Sequence, residues 1–273
     1  MELVLYTLLG KGYPLKDVID AASRVGFDAV DIRLHEDGCH ITSSIKEAEI
    51  KEIKKLVSDK GLKISGITTY YRVGLCDKNA WLTSYDGIKR AIEILNMFGG
   101  QFLRISSTDL DFEKGYEEQR RYFREQVLMV SEYAKKTNSV ATIEQHFGLI
   151  TSSAGEIVDL MRDIDTKNMG IVYDPGNTLM EGYERPDIQI EMLKNLIKNV
   201  HIKNGSVKGM QPNNKFYIVE WTKIDKGNLD WKLIIEKLKN IGYKGYLTLE
   251  DFAEFGSLEE KLTYDLNYLK SLL

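Results

Sequence analysis

The sequence contains little cysteine and no long apolar run. It has only two cysteines in 273 residues, Cys39 and Cys76, and their spacing matches no metal-binding or redox motif. A disulfide framework is therefore excluded, and we expect both thiols to be free in a reducing compartment. No apolar stretch approaches the roughly 20 residues that a membrane-spanning helix needs, and the start MELVLYT lacks the basic segment of a secretory signal. We therefore expect a cytoplasmic protein with no membrane partner.

Charge and length narrow the class of protein further. The net charge is -4, and no long basic or acidic run interrupts the chain. A nucleic-acid-binding protein would favour a basic face, so we expect no nucleic-acid partner. The length of 273 residues fits one (β/α)8 barrel, which typically needs about 250 residues, and 43% hydrophobic residues supply a sizeable core. The sequence leaves the oligomeric state open, with a homo-oligomer among the options.

Short apolar segments alternate with longer amphipathic segments along the chain. The apolar segments predict eight strands, at Glu2–Thr7, Asp28–Arg33, Leu62–Thr68, Gln101–Ser106, Val140–Gln145, Met169–Asp174, Asn199–Lys203 and Tyr246–Glu250. The amphipathic segments predict eight helices, near residues 15–25, 45–60, 82–98, 116–136, 153–164, 187–198, 231–241 and 258–272. This count predicts a single (β/α)8 TIM-barrel domain over residues 1–273. A doubly wound open sheet is the alternative, but the first turn, LLGKGYP, lacks the GxGxxG phosphate-binding pattern of that class.

Four metal-capable side chains share the inner face of the predicted barrel. Side chains alternate between the two faces of a strand, and this alternation directs inward Glu144, Asp174, His201 and Glu250. Three buried carboxylates close together would repel one another, and burying them without a partner is costly. A divalent cation removes both problems, and this donor set suits Mn²⁺, Mg²⁺, Co²⁺ or Zn²⁺. We expect one such ion, manganese as the first choice; four ordinary polar residues at a solvated barrel mouth are the alternative.

The segments that contain these four residues also resemble a known superfamily. They are Thr142–His146, Val172–Asn177, Val200–Lys203 and Leu247–Glu250, together with Gly227–Trp231 and Gly242–Tyr246. In strand order, and over essentially its whole length, the chain is similar to the xylose isomerase-like barrel superfamily of sugar (phosphate) isomerases and epimerases. The resemblance implies that Glu144, Asp174, His201 and Glu250 bind the metal ion. It also implies that Glu144 and Glu250 are the catalytic groups, which move a proton on opposite sides of the substrate.

The resemblance indicates the chemistry better than the substrate. It implies a metal-dependent isomerase or epimerase that acts on a ketose or related sugar-like hydroxy-ketone through an enediolate intermediate. The superfamily also contains hydroxypyruvate isomerases and dehydratases, so a dehydratase of an inosose-like or dehydroshikimate-like substrate is the alternative. A non-catalytic barrel is less favoured because both glutamates are present. A phosphodiesterase such as endonuclease IV is disfavoured, because its multi-zinc site needs many histidines and the chain has four.

Further residues near the predicted metal site are candidates for contact with the substrate. They are His146, Lys203, Arg104, Asn177 and Tyr6. His146 could act as an acid or hydrogen-bond a substrate hydroxyl, or be structural. Lys203 could hold an oxyanion or a phosphate, or pair with Glu144 or Asp174. Arg104 could bind substrate or form an ion pair with Asp31 inside the barrel, and Asn177 follows Asp174 by three residues.

The least regular stretch, Asn204–Asp230, is interpreted as a long loop after the seventh predicted strand. Loops at the carboxyl ends of barrel strands carry function. We therefore expect this loop to lie over the barrel mouth and to act as a lid, with a plain surface insertion as the alternative. The aromatic side chains of Tyr6, Tyr70 and Trp221 could form apolar walls at the mouth, or simply pack.

Overall fold

The computed structural model describes residues 1–182, 184–210 and 215–273. Over these residues the chain forms ten strands, which are β1 Glu2–Tyr6, β2 Ala29–Arg33, β3 Lys63–Val73, β4 Phe102–Ser107, β5 Val140–Glu144, β6 Met169–Tyr173, β7 Ile197–Ile202, β8 Asn204–Gly209, β9 Ile218–Thr222 and β10 Tyr246–Leu249. Eight of them are parallel and close into a barrel in the order β1-β10-β7-β6-β5-β4-β3-β2. The other two, β8 and β9, form an antiparallel hairpin. The predicted TIM barrel is confirmed, and the open-sheet alternative is wrong.

Helices connect successive strands of the barrel. In the described part of the chain they are α1 Leu15–Val25, α2 Glu47–Asp59, α3 Lys78–Phe98, α4 Tyr116–Lys136, α5 Ala154–Leu160, α6 Pro175–Glu181, α7 Pro186–Leu193, α8 Trp231–Asn240 and α9 Leu258–Leu272. Local signals fix their ends. The helix α3 begins where the Asp77 side chain accepts a hydrogen bond from Ala80 N at 2.7 Å, and it ends at Gly99, whose φ of 76° is left-handed. None of the described helices combines the length and the apolar character needed to cross a membrane.

The apolar core lies between the barrel and its helices, as the alternation of strand side chains predicts. On β10, Leu247 and Leu249 are fully buried in this core. Thr248 has the opposite parity and points into the barrel, where its hydroxyl donates a hydrogen bond to Asn199 Oδ1 of β7 at 2.9 Å. Because all eight strands are parallel, their carboxyl ends meet at one rim, and this rim positions the candidate site.

Three local features differ from the expectation drawn from the sequence. The helix expected near residues 187–198 ends at Leu193, because Ile197 already enters β7. The sequence pattern does not predict α6, which follows β6 directly and begins at Pro175; the missing proline N–H is no loss in the first turn of a helix. The third strand continues beyond its predicted end at Thr68 as far as Val73.

The stretch Asn204–Asp230 is more regular than the predicted loop. Its first six residues form β8, which starts two residues after β7 ends and pairs with β9. Residues 211–214 of the predicted loop lie outside the described residues. Asn204 anchors the base of this hairpin, because its Nδ2 donates to the carbonyls of Ile224 and Leu229 at 2.8 and 2.9 Å. The predicted loop is therefore a hairpin that rises from the carboxyl rim of the barrel.

Candidate metal centre and active site

The four residues that the sequence selects as metal ligands meet at the carboxyl rim. Glu144 ends β5, Asp174 follows β6, His201 is the next-to-last residue of β7 and Glu250 follows β10. All four are buried, and one donor atom from each lies within 4.8 Å of the others. In the barrel, β6 and β7 lie between β5 and β10. The two glutamates therefore stand on opposite sides of the aspartate and the histidine.

The distances inside this cluster suit a shared cation. His201 Nδ1 lies 3.0 Å from Glu144 Oε1. The same nitrogen lies 3.7 Å from Asp174 Oδ2 and 3.6 Å from Glu250 Oε2. Neighbouring donors around an ion with bonds of about 2.1 Å are themselves about 3 to 4 Å apart. The other ring nitrogen, Nε2, is buried and has no hydrogen-bond partner, so the ring has no polar contact outside the cluster. The residues present therefore fit a divalent metal ion.

The imidazole of His201 lies in a strongly negative environment. Burial alone would lower its pKa, but Glu250 and Asp174 outweigh burial and raise the pKa to about 9. A positive charge at this place, whether a proton on the ring or a metal ion beside it, is stabilised by the surrounding carboxylates.

The buried ammonium of Lys203 pairs with two of the predicted ligands. Nζ lies 2.6 Å from Asp174 Oδ2 and 2.6 Å from Glu250 Oε2. Burial alone would lower the Lys203 pKa, but the two carboxylates outweigh burial and raise it above its ordinary value. Burial would likewise raise the pKa of Glu250, but Lys203 and His201 hold it below its usual range. Of the roles that the sequence leaves open for Lys203, the structure shows the pairing with Asp174 and adds Glu250; contact with substrate stays a prediction.

Arg104 on β4 pairs with Glu144 rather than with Asp31. Its Nη2 donates to Glu144 Oε2, and its Nη1 donates to a backbone carbonyl of β3. The strand register explains the choice, since Arg104 stands beside Thr142, two residues before Glu144 on the neighbouring strand. Asp31 instead accepts a hydrogen bond from Thr68 Oγ1 at 2.9 Å, and burial raises the pKa of Asp31 to about 6. The ion pair between Arg104 and Asp31, which the sequence offers as an alternative, is not the one that forms.

Asn177 orients the carboxylate of Asp174. Asp174 caps the amino end of α6, where Asn177 N donates to its Oδ1 at 3.1 Å. The Asn177 side chain donates through Nδ2 to Asp174 Oδ2 and to the Gln145 carbonyl, both at 2.9 Å. These two bonds use both hydrogens of the amide nitrogen. The predicted contact of Asn177 with substrate would therefore have to use its Oδ1.

His146 is placed beside the cluster as a neutral imidazole. Its Nδ1 lies 2.8 Å from the Phe147 carbonyl, and a carbonyl can only accept a hydrogen bond. Nδ1 therefore carries the proton, and Nε2 carries a free lone pair. Burial, with Arg104 and Lys203 nearby, lowers the His146 pKa and keeps the ring uncharged. This tautomer makes Nε2 a proton acceptor.

Tyr6 and Tyr70 form a wall on the side of β1 and β3. The Tyr6 ring stacks on His201 with ring centroids 6.1 Å apart, and its hydroxyl lies 3.1 Å from the Tyr70 hydroxyl. The guanidinium groups of Arg33 and Arg104 both lie 5.2 Å from the centre of the Tyr70 ring. The sequence suggests apolar walls here, but the structure gives both tyrosines polar contacts. The contribution of Arg33 is not visible in the sequence, because it depends on Tyr70 of a neighbouring strand.

Trp221 and Phe252 form a second wall, beside Lys203. The Lys203 ammonium lies 5.9 Å from the Trp221 ring and 5.4 Å from the Phe252 ring, and the two rings are 5.6 Å apart. Two residues before β9, the strand that contains Trp221, Phe216 meets Phe147 with ring centroids 5.4 Å apart. The hairpin therefore reaches the rim at two places. Its predicted closure over a substrate stays a prediction.

A buried carboxyl pair holds the chain just after Glu250. Asp251 and, on α9, Asp265 are fully buried. Lys261 Nζ donates to the carbonyls of Asp251 and Ala253 at 2.6 and 2.7 Å. Burial and the nearby Asp251 raise the pKa of Asp265 to about 8. Ionisation of Asp265 therefore costs folding free energy.

We expect Asp265→Asn to make the free energy of unfolding less dependent on pH. A folded-state pKa above the ordinary 3.8 means that Asp265 favours folding while it is protonated, and that this contribution is lost as the pH rises from about 4 towards 8. Within this window the free energy of unfolding of the wild type should fall by about 1.4 kcal/mol per pH unit, and the variant should lack this fall. Urea unfolding at about pH 5 and about pH 8.5 measures both proteins. A constant difference between them at the two pH values would refute the expectation.

A protein-family model covers almost the whole chain. The model, described as xylose isomerase-like TIM barrel, matches residues 19–272. A curated relative, an uncharacterized protein of Methanocaldococcus jannaschii, is 31% identical over 105 residues, which is 38% of this chain and 33% of that protein. The matched segment thus spans a third of that relative's length.

Solved structures share the fold over nearly the whole chain. The probable 3-DHS dehydratase AsbF of Bacillus anthracis has a TM-score of 0.78 at 18% identity, covering 99% of both chains. A D-allulose 3-epimerase from Methylomonas sp. has a TM-score of 0.79 at 16% identity, covering 100% of this chain and 98% of its own. A xylose isomerase-like TIM barrel protein from Mycobacterium smegmatis, in complex with magnesium, has a TM-score of 0.78 at 17% identity, covering 99% and 96%. At these identities the likeness shows the fold.

Proposed function

Because the chain belongs to the xylose isomerase-like TIM barrel family, we propose that it is a divalent-metal-dependent isomerase or epimerase of a ketose or related hydroxy-ketone. The observation that carries this proposal is the position of Glu144 and Glu250 on opposite sides of one donor cluster. Two facing carboxylates can remove a proton from one face of a bound sugar and return a proton to the other face, which inverts that carbon. The activity named for one structural neighbour, a D-allulose 3-epimerase, supports this choice.

The proposed ion is held by Glu144, Asp174, His201 and Glu250, whose donor atoms are grouped and buried. A divalent ion bound there stabilises the negative charge that develops on the ketone oxygen of the substrate. We propose manganese as the first choice, with Mg²⁺, Co²⁺ or Zn²⁺ as alternatives for the same donors. The magnesium bound by one structural neighbour supports a divalent ion in this family.

The side chains of the cluster supply the base and its orientation. Glu250 is ionised at neutral pH, because Lys203 and His201 hold its pKa low, so its base form is present. Arg104 binds Glu144 through Oε2, which leaves Oε1 facing the cluster. Each carboxylate can act as a base only if the substrate carbon lies within about 3 Å of it. Return of the proton to the same carbon gives an epimer, and return to the adjacent carbon gives an isomer.

The proposed substrate is small and rich in hydroxyl groups. Trp221 and Phe252 present aromatic rings beside Lys203, against which the C–H groups of a sugar can pack. On the opposite side, the partly exposed Tyr70 offers a hydroxyl to a polar substituent. Lys203 places a positive charge beside any oxygen that becomes negative during proton transfer. Tyr6, stacked on His201, limits the space on the side of β1.

A panel of ketoses and aldoses incubated with the manganese-loaded protein in D2O tests the proposed function. We expect deuterium at the carbon next to the ketone and the appearance of an epimer or isomer, both read by proton NMR. If no sugar in the panel exchanges or rearranges while the protein carries metal, the isomerase and epimerase proposal fails.

A metal-dependent dehydratase of an inosose-like or dehydroshikimate-like substrate is the second candidate, and His146 favours it. The lone pair on His146 Nε2 provides a neutral base that is not one of the proposed ligands. One such base is enough to start the loss of a β-hydroxyl group. The probable 3-DHS dehydratase among the structural neighbours supports this alternative. Ultraviolet absorbance separates the two reactions, because only dehydration creates a conjugated product.

A further inference from the structure

We propose that Lys203 is a built-in counter-cation of the metal centre, which neutralises two of its carboxylates in the metal-free protein and weakens the binding of a divalent ion. This proposal rests on the metal centre proposed above and concerns the affinity of that centre for its ion. It assigns Lys203 a function toward the ion itself, separate from any contact with substrate.

The first observation is that Lys203 contacts the same carboxylate oxygens that face His201. Its ammonium lies 2.6 Å from Asp174 Oδ2 and 2.6 Å from Glu250 Oε2. The same two oxygens also lie 3.7 and 3.6 Å from His201 Nδ1. An ion bound by His201 and these two oxygens must therefore share them with the ammonium.

Arg104, the other buried cation that contacts the cluster, is arranged differently. It binds Oε2 of Glu144, whereas Oε1 of the same carboxylate faces His201 Nδ1 at 3.0 Å. One oxygen of Glu144 is therefore free of the guanidinium and available to an ion. Of the two cations, only Lys203 contacts the oxygens that are expected to be ligands. The two residues are thus predicted to have opposite effects: Arg104 orients a ligand, and Lys203 competes for two.

Close packing holds the side chain of Lys203 in place. Its side chain is only 3% exposed. Its stem packs against Gly176 so closely that a Cβ at position 176 would lie 2.3 Å from Lys203 Cγ. Trp221 and Phe252 border the ammonium on the substrate side. The glycine lies against the stem, and the two rings and two carboxylates surround the ammonium.

Repulsion between the Lys203 ammonium and the ion should weaken the binding of the ion. A divalent ion and an ammonium that share two oxygens lie only a few ångströms apart. At this distance, even with the screening of bulk water, their repulsion lowers the binding constant of the ion by about tenfold or more. Binding of the ion should therefore loosen Lys203 from at least one carboxylate and turn its ammonium towards the aromatic wall. In the metal-free protein the same ammonium spares Asp174 and Glu250 the cost of lying buried without a partner.

Manganese titration of Lys203→Met tests the proposal, with free Mn²⁺ followed by electron paramagnetic resonance. We expect the variant to bind Mn²⁺ at least about tenfold more tightly than the wild type. Its metal-free form should melt at a lower temperature than the wild type, and saturating Mn²⁺ should raise its melting temperature more than it raises that of the wild type. The matched control is Lys208→Met, which removes one exposed positive charge from β8, five residues beyond Lys203, and should leave the affinity for Mn²⁺ unchanged.

Each outcome of this titration has a separate meaning. Equal affinity in the wild type and in Lys203→Met overturns the counter-cation but leaves the metal centre in place. Failure of both proteins to bind Mn²⁺ overturns the metal centre, and the counter-cation with it. Should Lys203→Met not fold, Lys203→Gln and Lys203→Arg replace it: the glutamine should tighten binding, whereas the charge-preserving arginine should not. Tighter binding by the arginine variant would overturn the proposal, because the charge would then not be the cause.

Discussion

Glu144→Gln and Glu250→Gln should each lower turnover by about 10²-fold or more, the usual scale for removing a general base. Glutamine has nearly the same size as glutamate and keeps one oxygen ligand, so each variant should fold and retain some metal. It cannot accept a proton at neutral pH. Each change also leaves a buried cation with one carboxylate fewer, Arg104 in the first variant and Lys203 in the second, so a moderate loss of stability accompanies it.

Incorporation of deuterium from the solvent into the substrate distinguishes a loss of catalysis from a loss of stability. In the wild type, deuterium should enter the substrate carbon, and in both variants it should scarcely enter at all. Glu132→Gln makes the same chemical change at an exposed position in the last two turns of α4, which leads into the amino end of β5, and it should remain near wild-type activity. If both active-site variants kept near wild-type turnover with metal bound, the two-base mechanism would fail. His146 as a single base in a dehydratase would then be the better interpretation.

Removal of the metal should abolish turnover, and His201→Ala should prevent its recovery. We expect chelator to lower wild-type turnover by about 10³-fold or more, since the ion stabilises the charge of the transition state, and Mn²⁺ to restore it. His201→Ala leaves three carboxylates, two of which Lys203 already neutralises. The affinity of this variant for Mn²⁺ should fall by about 10²-fold or more. This loss exceeds the usual effect of removing a residue that only hydrogen-bonds to a metal ligand.

Metal content after dialysis measures this difference directly. The wild type should carry one ion per chain, and His201→Ala should carry almost none. Melting temperatures in the presence of chelator verify that the variant still folds. Full activity of the wild type in chelator, or a full complement of metal in folded His201→Ala, would contradict the assignment of His201 as a ligand.

The barrel and the grouping of the four residues could be predicted because both depend on local alternation along single strands. Leu247 and Leu249 face the core, so Glu250, which continues the parity of Thr248, lies on the barrel side. The same reasoning holds for Glu144, Asp174 and His201, and the structure brings all four together. Whether they bind a metal stays a prediction.

The partners of Arg104 and Lys203, the buried cations that contact the cluster, could not be predicted, because they depend on contacts between strands. The alternation directs Arg104 and Lys203 inward, yet it does not say which carboxylate each will meet. The register of β4 on β5 sends Arg104 to Glu144, and the position of Gly176 guides Lys203 to Asp174. The position of the Phe252 ring could not be predicted either, because Phe252 lies beyond the end of β10, where the alternation of a strand no longer applies.

Two segments escape the sequence pattern because they are short. The helix α6 has seven residues and begins with Pro175 and Gly176, which resemble a turn, although Asp174 caps it as it would any helix. The strand β8 contains two glycines and one valine in six residues, so it becomes a strand through its pairing with β9 rather than through its own preference. Both segments flank the candidate site.

One divalent ion at the carboxyl rim is tested most directly by anomalous scattering from a crystal grown with Mn²⁺. We expect one strong manganese peak per chain, about 2.0–2.4 Å from donor atoms of Glu144, Asp174, His201 and Glu250. The Lys203 ammonium should have moved away from at least one of its two carboxylates. Absence of a peak at these four residues, with Lys203 still bound to both Asp174 and Glu250 at saturating Mn²⁺, would contradict the metal centre and the function proposed from it.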